Sequence, residues 1–206
     1  MSYAKNFIYR EASNNGPLLL FLHGAGCDYS FWSNLNRYFF YKNFSTLSIS
    51  LPGHGHNNDK PLTSIEAMAN YVVTLIKKLK HKKIVPIGHS MGSLICLSLA
   101  AENKIDIEKI ILIGTSLPMK VSDFLLKQSK KDQPNAINNM INWGLPSVAK
   151  LNGGNITGVN LPNYFSNLMN NTQKGVLYKD LIACNSFLLQ EKVINDINIP
   201  VLIIAG

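Results

Sequence analysis

Cysteine is scarce in this 206-residue chain: Cys27, Cys96 and Cys184 are odd in number, widely spaced and unaccompanied by paired metal-ligand patterns. That usage excludes a disulfide framework, gives no reason to expect a metal site and fits a reducing compartment. Long apolar runs are lacking too. None reaches the roughly 20 residues of a membrane-spanning helix, and residues 1–10 hold no signal-peptide core, so a soluble cytoplasmic protein without a membrane span is expected. There is no glycine-rich phosphate loop, internal repeat or low-complexity tract, which argues against nucleotide chemistry and repeat architectures. Acidic residues are few, 12 against 20 basic ones, for a net charge of +8. The lysines are nevertheless scattered. Their densest cluster, Lys77-Lys78-Leu79-Lys80-His81-Lys82-Lys83, falls near a helix end, where cations complement the helix dipole, so no nucleic-acid partner is expected.

With 46% hydrophobic and 16% charged residues, the composition is that of a globular protein, and no linker-like stretch divides it. One domain over residues 1–206 is the expectation. Leu18-Leu19-Leu20-Phe21-Leu22 is a continuous apolar run that breaks at His23-Gly24-Ala25-Gly26, as in a strand buried on both faces. A helix over 30–41 and a strand over 44–50 follow, ending at Leu51-Pro52-Gly53-His54-Gly55-His56. Thr63-Ser64-Ile65-Glu66 forms a capping box, after which Ile65, Met68, Ala69, Val72, Val73, Ile76 and Leu79 recur at helical spacing. Strand over 83–88, helix over 91–102 and strand over 109–114 continue the alternation, which implies a mostly parallel sheet flanked by helices. Residues 117–195 read as helical segments without a clear strand, broken at Trp143-Gly144-Leu145-Pro146 and over the Asn/Gly-rich 151–160. An insertion of this kind is expected to form a helical lid beyond the strands' C-terminal ends. The stretch 199–206 resumes the sheet.

Gly88-His89-Ser90-Met91-Gly92 satisfies G-x-S-x-G and sits where that pattern has mechanical meaning, between a strand and an apolar helix. The small residues at 88 and 92 permit a tight turn that presents Ser90 as a nucleophile at the top of the sheet. A serine hydroxyl attacking a carbonyl creates an anionic oxygen that needs donors already aimed at it. In this turn geometry they are the N–H of Met91 and an N–H from the loop after the first buried strand, assigned to Ala25.

Taken in order, His23-Gly24-Ala25-Gly26, Leu51-Pro52-Gly53-His54-Gly55 and Gly88-His89-Ser90-Met91-Gly92 resemble the α/β-hydrolase superfamily, and residues 199–206 are similar to the strand that precedes its acid loop. The resemblance implies an eight-stranded, mostly parallel sheet with a helical lid. It also implies a Ser-acid-His triad that forms an acyl-enzyme on esters, thioesters or similar carboxyl derivatives of small-molecule substrates, with no cofactor. Serine at the elbow argues against the family's dehalogenases and epoxide hydrolases, which use aspartate there.

Three departures stand out. Ser50 and Asn57 replace the acidic residue and serine that often bracket the Pro-Gly-His-Gly loop, which is expected to cost loop hydrogen bonds. A single strand over 5–11 stands where the family has a hairpin. The family's acid falls two or three residues past the glycine matching Gly206 and its histidine later, so a C-terminally truncated enzyme is expected, with residues 201–205 an exposed, aggregation-prone apolar edge. Within the chain, His23, His54, His56, His81 and His89 read as structural or solvated rather than as general bases, and Asp123 is the better acid candidate. Phe124, Met140, Trp143, Phe165 and Met169 either line an acyl pocket or fill the core, and Cys27 reads as a small buried hydrophobe. The alternative to a hydrolase is a catalytically silent fragment or ligand-binding module lacking the acid and histidine.

Overall fold

The computed structural model describes residues 2–4, 6–79, 81, 83–147, 155–156 and 159–205. Lys80 and Lys82 of the basic cluster, residues 151–154 and 157–158 of the Asn/Gly-rich stretch, and Gly206 lie outside them. The chain opens with β1 (Ser2–Ala4) and β2 (Phe7–Arg10), paired antiparallel, so the expectation of one strand over 5–11 is corrected: a hairpin is present. Then come β3 (Leu18–Leu22), a 3-10 turn over Tyr29–Trp32, α1 (Ser33–Tyr41), β4 (Thr46–Ile49), α2 (Ile65–Ile76), β5 (Ile84–His89), α3 (Met91–Glu102) and β6 (Ile110–Ile113).

A seven-stranded sheet has the order β1-β2-β4-β3-β5-β6-β9, where β9 is Val201–Ile204. The pairs β3·β4, β3·β5, β5·β6 and β6·β9 are parallel, and the N-terminal hairpin joins antiparallel through β2 and β4. Helices cover both faces, which explains why β3 reads as an unbroken apolar run: all five of its residues are buried. Successive side chains point to opposite faces. Leu18, Leu20 and Leu22 meet the helical stripes of α2 and α3, whereas Leu19 and Phe21 meet Trp32 and Phe39 on the other side. The helix starts one residue later than the Thr63–Glu66 capping box places it: Ser64 is the N-cap, its hydroxyl accepting the Ala67 N–H, so Ala67 rather than Glu66 stands at the third helical position, and the stripe from Ile65 to Ile76 is buried.

Between β6 and β9 run α4 (Asp123–Lys131), α5 (Gln133–Gly144), α6 (Leu161–Asn170), α7 (Val176–Ser186) and α8 (Glu191–Asn195). The reading of this segment as strand-free is also corrected. β7 (Asn155–Ile156) and β8 (Val159–Asn160) form a small antiparallel pair, too short to show an alternating pattern. At the far edge of the main sheet, Val201, Leu202, Ile203 and Ile204 are 44%, 53%, 60% and 46% exposed.

Candidate active site

β5 is central and parallel to both its neighbours, so its C-terminal end is fixed in register with theirs: Gly88 lies opposite Leu22 and Leu112. The strand stops at Ser90, whose backbone is strained at φ 51°, ψ −117°, and α3 begins at the next residue. The Ser90 N–H donates to the Ile113 carbonyl at 2.9 Å, and its carbonyl accepts from the Ser93 N–H at 2.8 Å, so both sides of the turn are tied down. A Cβ at Gly88 would run into the Gly92 carbonyl, and one at Gly92 into that of Leu22. Only glycines at these two places let strand, turn and helix close to this distance.

Ser90 stands on the wall of a cavity of about 210 Å³, lined also by Gly24, Ala25, Phe31 and His89 and by Met140 and Ile141 of α5 and Phe165 and Met169 of α6. None of the described lining residues carries a carboxylate, ammonium or guanidinium. The His23-Gly24-Ala25-Gly26 loop lies directly against the turn, since a Cβ on Gly24 would sit 3.1 Å from His89 Nδ1 and 3.5 Å from Ser90 Cβ. The structure therefore brings together Ser90, Met91 and Ala25, the three residues singled out from sequence. Phe124 and Trp143 join neither the cavity nor the core: they pack on each other at 6.4 Å between ring centroids and are 58% and 60% exposed. Cys27 is buried, and burial followed by the nearby Asp28 and Asp180 carboxylates pushes its thiol pKa up, so it stays protonated.

The histidines divide by environment. His89 lies flat on Phe31, 4.9 Å between centroids, and burial lowers its pKa. His23 is fully buried; its Nε2 accepts the Leu51 N–H at 3.1 Å and its Nδ1 faces the Gly24 carbonyl at 2.9 Å. Burial and the neighbouring His54 lower its pKa to about 3, against the small opposing effect of that carbonyl. His54 Nε2 meets the Asp180 carboxylate at 2.8 Å, with both side chains 1% exposed. Burial alone would lower the pKa of His54, but the Asp180 charge and hydrogen bond, with the Pro52 and Leu51 backbone, raise it overall. His81 bonds the Tyr9 hydroxyl at 2.8 Å, and His56 is exposed. Among the described residues no histidine hydrogen-bonds the Ser90 hydroxyl. Asp123 is exposed in the first turn of α4, where its charge complements the helix dipole.

Two features depart from the sequence reading, one an expectation corrected and one a residue it missed. Ser50 and Asn57 do not cost the loop its hydrogen bonds, as was expected of them. The Asn57 side chain donates to the Ser50 carbonyl at 2.9 Å, and the Ser50 hydroxyl accepts the Tyr29 N–H at 3.1 Å. Asp180 is the second. On α7 it falls at the spacing of the buried residues Val176, Leu177, Leu181 and Cys184, a carboxylate inside an apolar stripe.

A model of the alpha/beta hydrolase fold matches residues 17–158, more than half of the sequence and inclusive of the loop, elbow and first helices of the insertion. The chain belongs to the α/β-hydrolase family. Among its relatives, a Haemophilus influenzae protein named "Putative esterase/lipase" is 34% identical over 110 residues, covering 53% of this chain and 38% of that protein. A Mycoplasma pneumoniae protein named "Putative esterase/lipase 2" is 28% identical over 113 residues, covering 54% of this chain and 41% of that protein. The matches thus span about two-fifths of these curated relatives. Among solved structures, a hydrolase from Pseudomonas aeruginosa superposes with a TM-score of 0.81 at 19% identity, over 97% of this chain and 75% of that one. An enol-lactonase from Burkholderia xenovorans gives 0.78 at 22%, over 97% and 77%. At these identities the two structures speak to the fold. Among the described residues no helix is long and apolar enough to cross a membrane, and no cluster of three His, Cys, Asp or Glu side chains is placed to hold a metal ion.

Proposed function

We propose that Ser90 is the nucleophile of a hydrolase acting on small-molecule esters, thioesters or similar carboxyl derivatives. The observation that carries this reading is the strained Ser90 turn, set at the end of a central parallel strand on the wall of an apolar cavity. The esterase/lipase names of two relatives support the ester class. In the reaction, Ser90 Oγ bonds to the carbonyl carbon and its proton passes through a general base to the departing alcohol or thiol. Water then attacks the acyl-serine, releasing the acid and restoring the hydroxyl. The Met91 and Ala25 amides are assigned to the carbonyl oxygen as it becomes anionic. The helices of residues 117–195 act as a lid over the acyl pocket, to which they contribute Met140, Ile141, Phe165 and Met169. Three buried thiols support a reducing, cytoplasmic setting.

The base is assigned to none of the five histidines. His23 and His54 are committed to Leu51 and Asp180, and His81 to Tyr9. A second reading, a module that binds a ligand in the cavity without turning it over, is favoured by the absence, among the described residues, of a histidine on the Ser90 hydroxyl. Intact-mass detection of a fluorophosphonate adduct separates the two. One adduct on the wild-type chain that vanishes in Ser90→Ala supports the hydrolase, and a folded chain that takes no adduct favours the binding module for residues 1–206.

A further inference from the structure

Ala25 owes its position to two anchors. On one side, Gly24 lies against His89 and Ser90; on the other, the Gly26 N–H donates to Asp180 Oδ2 at 2.8 Å. The same oxygen meets His54 Nε2 at 2.8 Å, and His54 Nδ1 faces the Pro52 carbonyl at 3.1 Å. One buried carboxylate on α7 therefore gathers the loop after β3, the Pro-Gly loop after β4 and the helical insertion. Two neighbouring contacts tighten the same junction: the Gln173 N–H donates to the Gly53 carbonyl at 3.1 Å, and a Cβ on Gly26 would sit 3.1 Å from both Leu177 and Met169. Asp180 Oδ1 is buried without a hydrogen-bond partner among the described residues. A carboxylate is costly here, and a neutral amide would cap the Gly26 N–H at less expense.

We propose that Asp180 is a positioning residue for the reaction at Ser90: paired with His54, its carboxylate fastens the insertion to the Gly26 amide and so holds the Ala25 N–H at the reaction centre. The inference rests on the serine-hydrolase reading and adds to it the group that orients one of the two oxyanion donors. A charged acceptor makes the stronger bond to the Gly26 N–H. The protonated His54 ring neutralises that charge, so the loop gains a firm anchor without a net negative field beside an oxygen that must itself become negative. Seating of α7 and orientation of the Ala25 amide are then one event.

The test compares the whole chain with Asp180→Asn, an isosteric change that keeps an acceptor but removes the charge. It reads hydrogen exchange by peptide mass spectrometry and kcat and KM for p-nitrophenyl butyrate. The expected result is faster exchange over residues 24–28 with α3 still protected. With it kcat falls about 10- to 100-fold, the size of effect that misplacement of a reacting group produces, while KM stays within about twofold. A side chain that only stabilised the fold would loosen α3 as well and leave kcat of the folded fraction unchanged. Should Asp180→Asn unfold, the double variant His54→Gln/Asp180→Asn removes both charges together and is held to the same expectations. Unchanged exchange over residues 24–28, or faster exchange there with kcat unaltered, overturns the role of Asp180 while leaving the hydrolase reading intact. A wild-type chain that neither hydrolyses the ester nor takes the fluorophosphonate overturns catalysis by residues 1–206, and the role of Asp180 with it.

Discussion

His23 makes acid stability a quantitative test of the buried loop network. Its ring accepts the Leu51 N–H through Nε2 and is packed 4.8 Å, centroid to centroid, from His54, so a second proton would break the first interaction and put two cations together. The folded state therefore holds the His23 pKa at about 3, against 6.5 in the open chain. Between those values the unfolded chain binds a proton that the native state refuses, so stability is fully present above pH 6.5 and lost as pH falls toward 3. Each unit is worth about 1.4 kcal/mol, and between pH 6.5 and 4 the loss from this residue is about 3 kcal/mol. That is a large part of the 5–15 kcal/mol that typical domains possess. His54, whose pKa is raised, is protonated in both states over this window and contributes no slope; its stabilisation is lost only as pH rises above 6.5 through its folded pKa. Urea midpoints for the wild type and His23→Gln at pH 4, 5, 6 and 7 isolate the effect, because all other titrations cancel in the difference. The advantage of the wild type over His23→Gln should shrink by about 3 kcal/mol from pH 6.5 to 4. A difference flat within about 0.5 kcal/mol would refute the assignment of His23 as a neutral acceptor.

The strain at Ser90 predicts that Ser90→Gly is more stable than Ser90→Ala. Glycine adopts φ 51° freely and alanine does not, and after the greater entropy of the unfolded glycine chain is subtracted about 1 kcal/mol remains, or roughly 2–4 °C in Tm by calorimetry; equal melting temperatures would mean the turn is relaxed. At the sheet edge, Ile203→Lys places a charge on a strand residue that is 60% exposed, so self-association by sedimentation velocity should fall while Tm changes by less than about 2 °C. An unchanged sedimentation profile would show that this edge does not mediate association.

How much of this was readable without coordinates depended on whether the information was local. β3 and β5 announced themselves because a strand covered on both faces must be apolar throughout, and the elbow because close approach of strand and helix tolerates nothing larger than glycine at 88 and 92. The Ser2–Ala4 arm of the hairpin and the two-residue strands β7 and β8 carried no such pattern, since three residues or fewer cannot establish an alternation. Helical spacing in the insertion marked candidate lining residues but did not sort them: Met140, Phe165 and Met169 reach the cavity, whereas Phe124 and Trp143 face outward.

Asp180 shows where that boundary falls. Its place among Val176, Leu177, Leu181 and Cys184 was visible as a carboxylate in an apolar stripe, and such a group requires a buried partner. Its partners lie 126 and 154 residues earlier in the chain, at His54 and Gly26, so periodicity shows that a partner is needed without showing which one. Two histidines are buried in that neighbourhood, and the choice between them is made by the backbone. The Leu51 N–H donates to His23 Nε2 and keeps that ring neutral, whereas both nitrogens of His54 face acceptors, the Pro52 carbonyl and the Asp180 carboxylate. A ring between two acceptors is stable only with a proton on each nitrogen, so the positive charge belongs on His54 and the negative charge of Asp180 is met there.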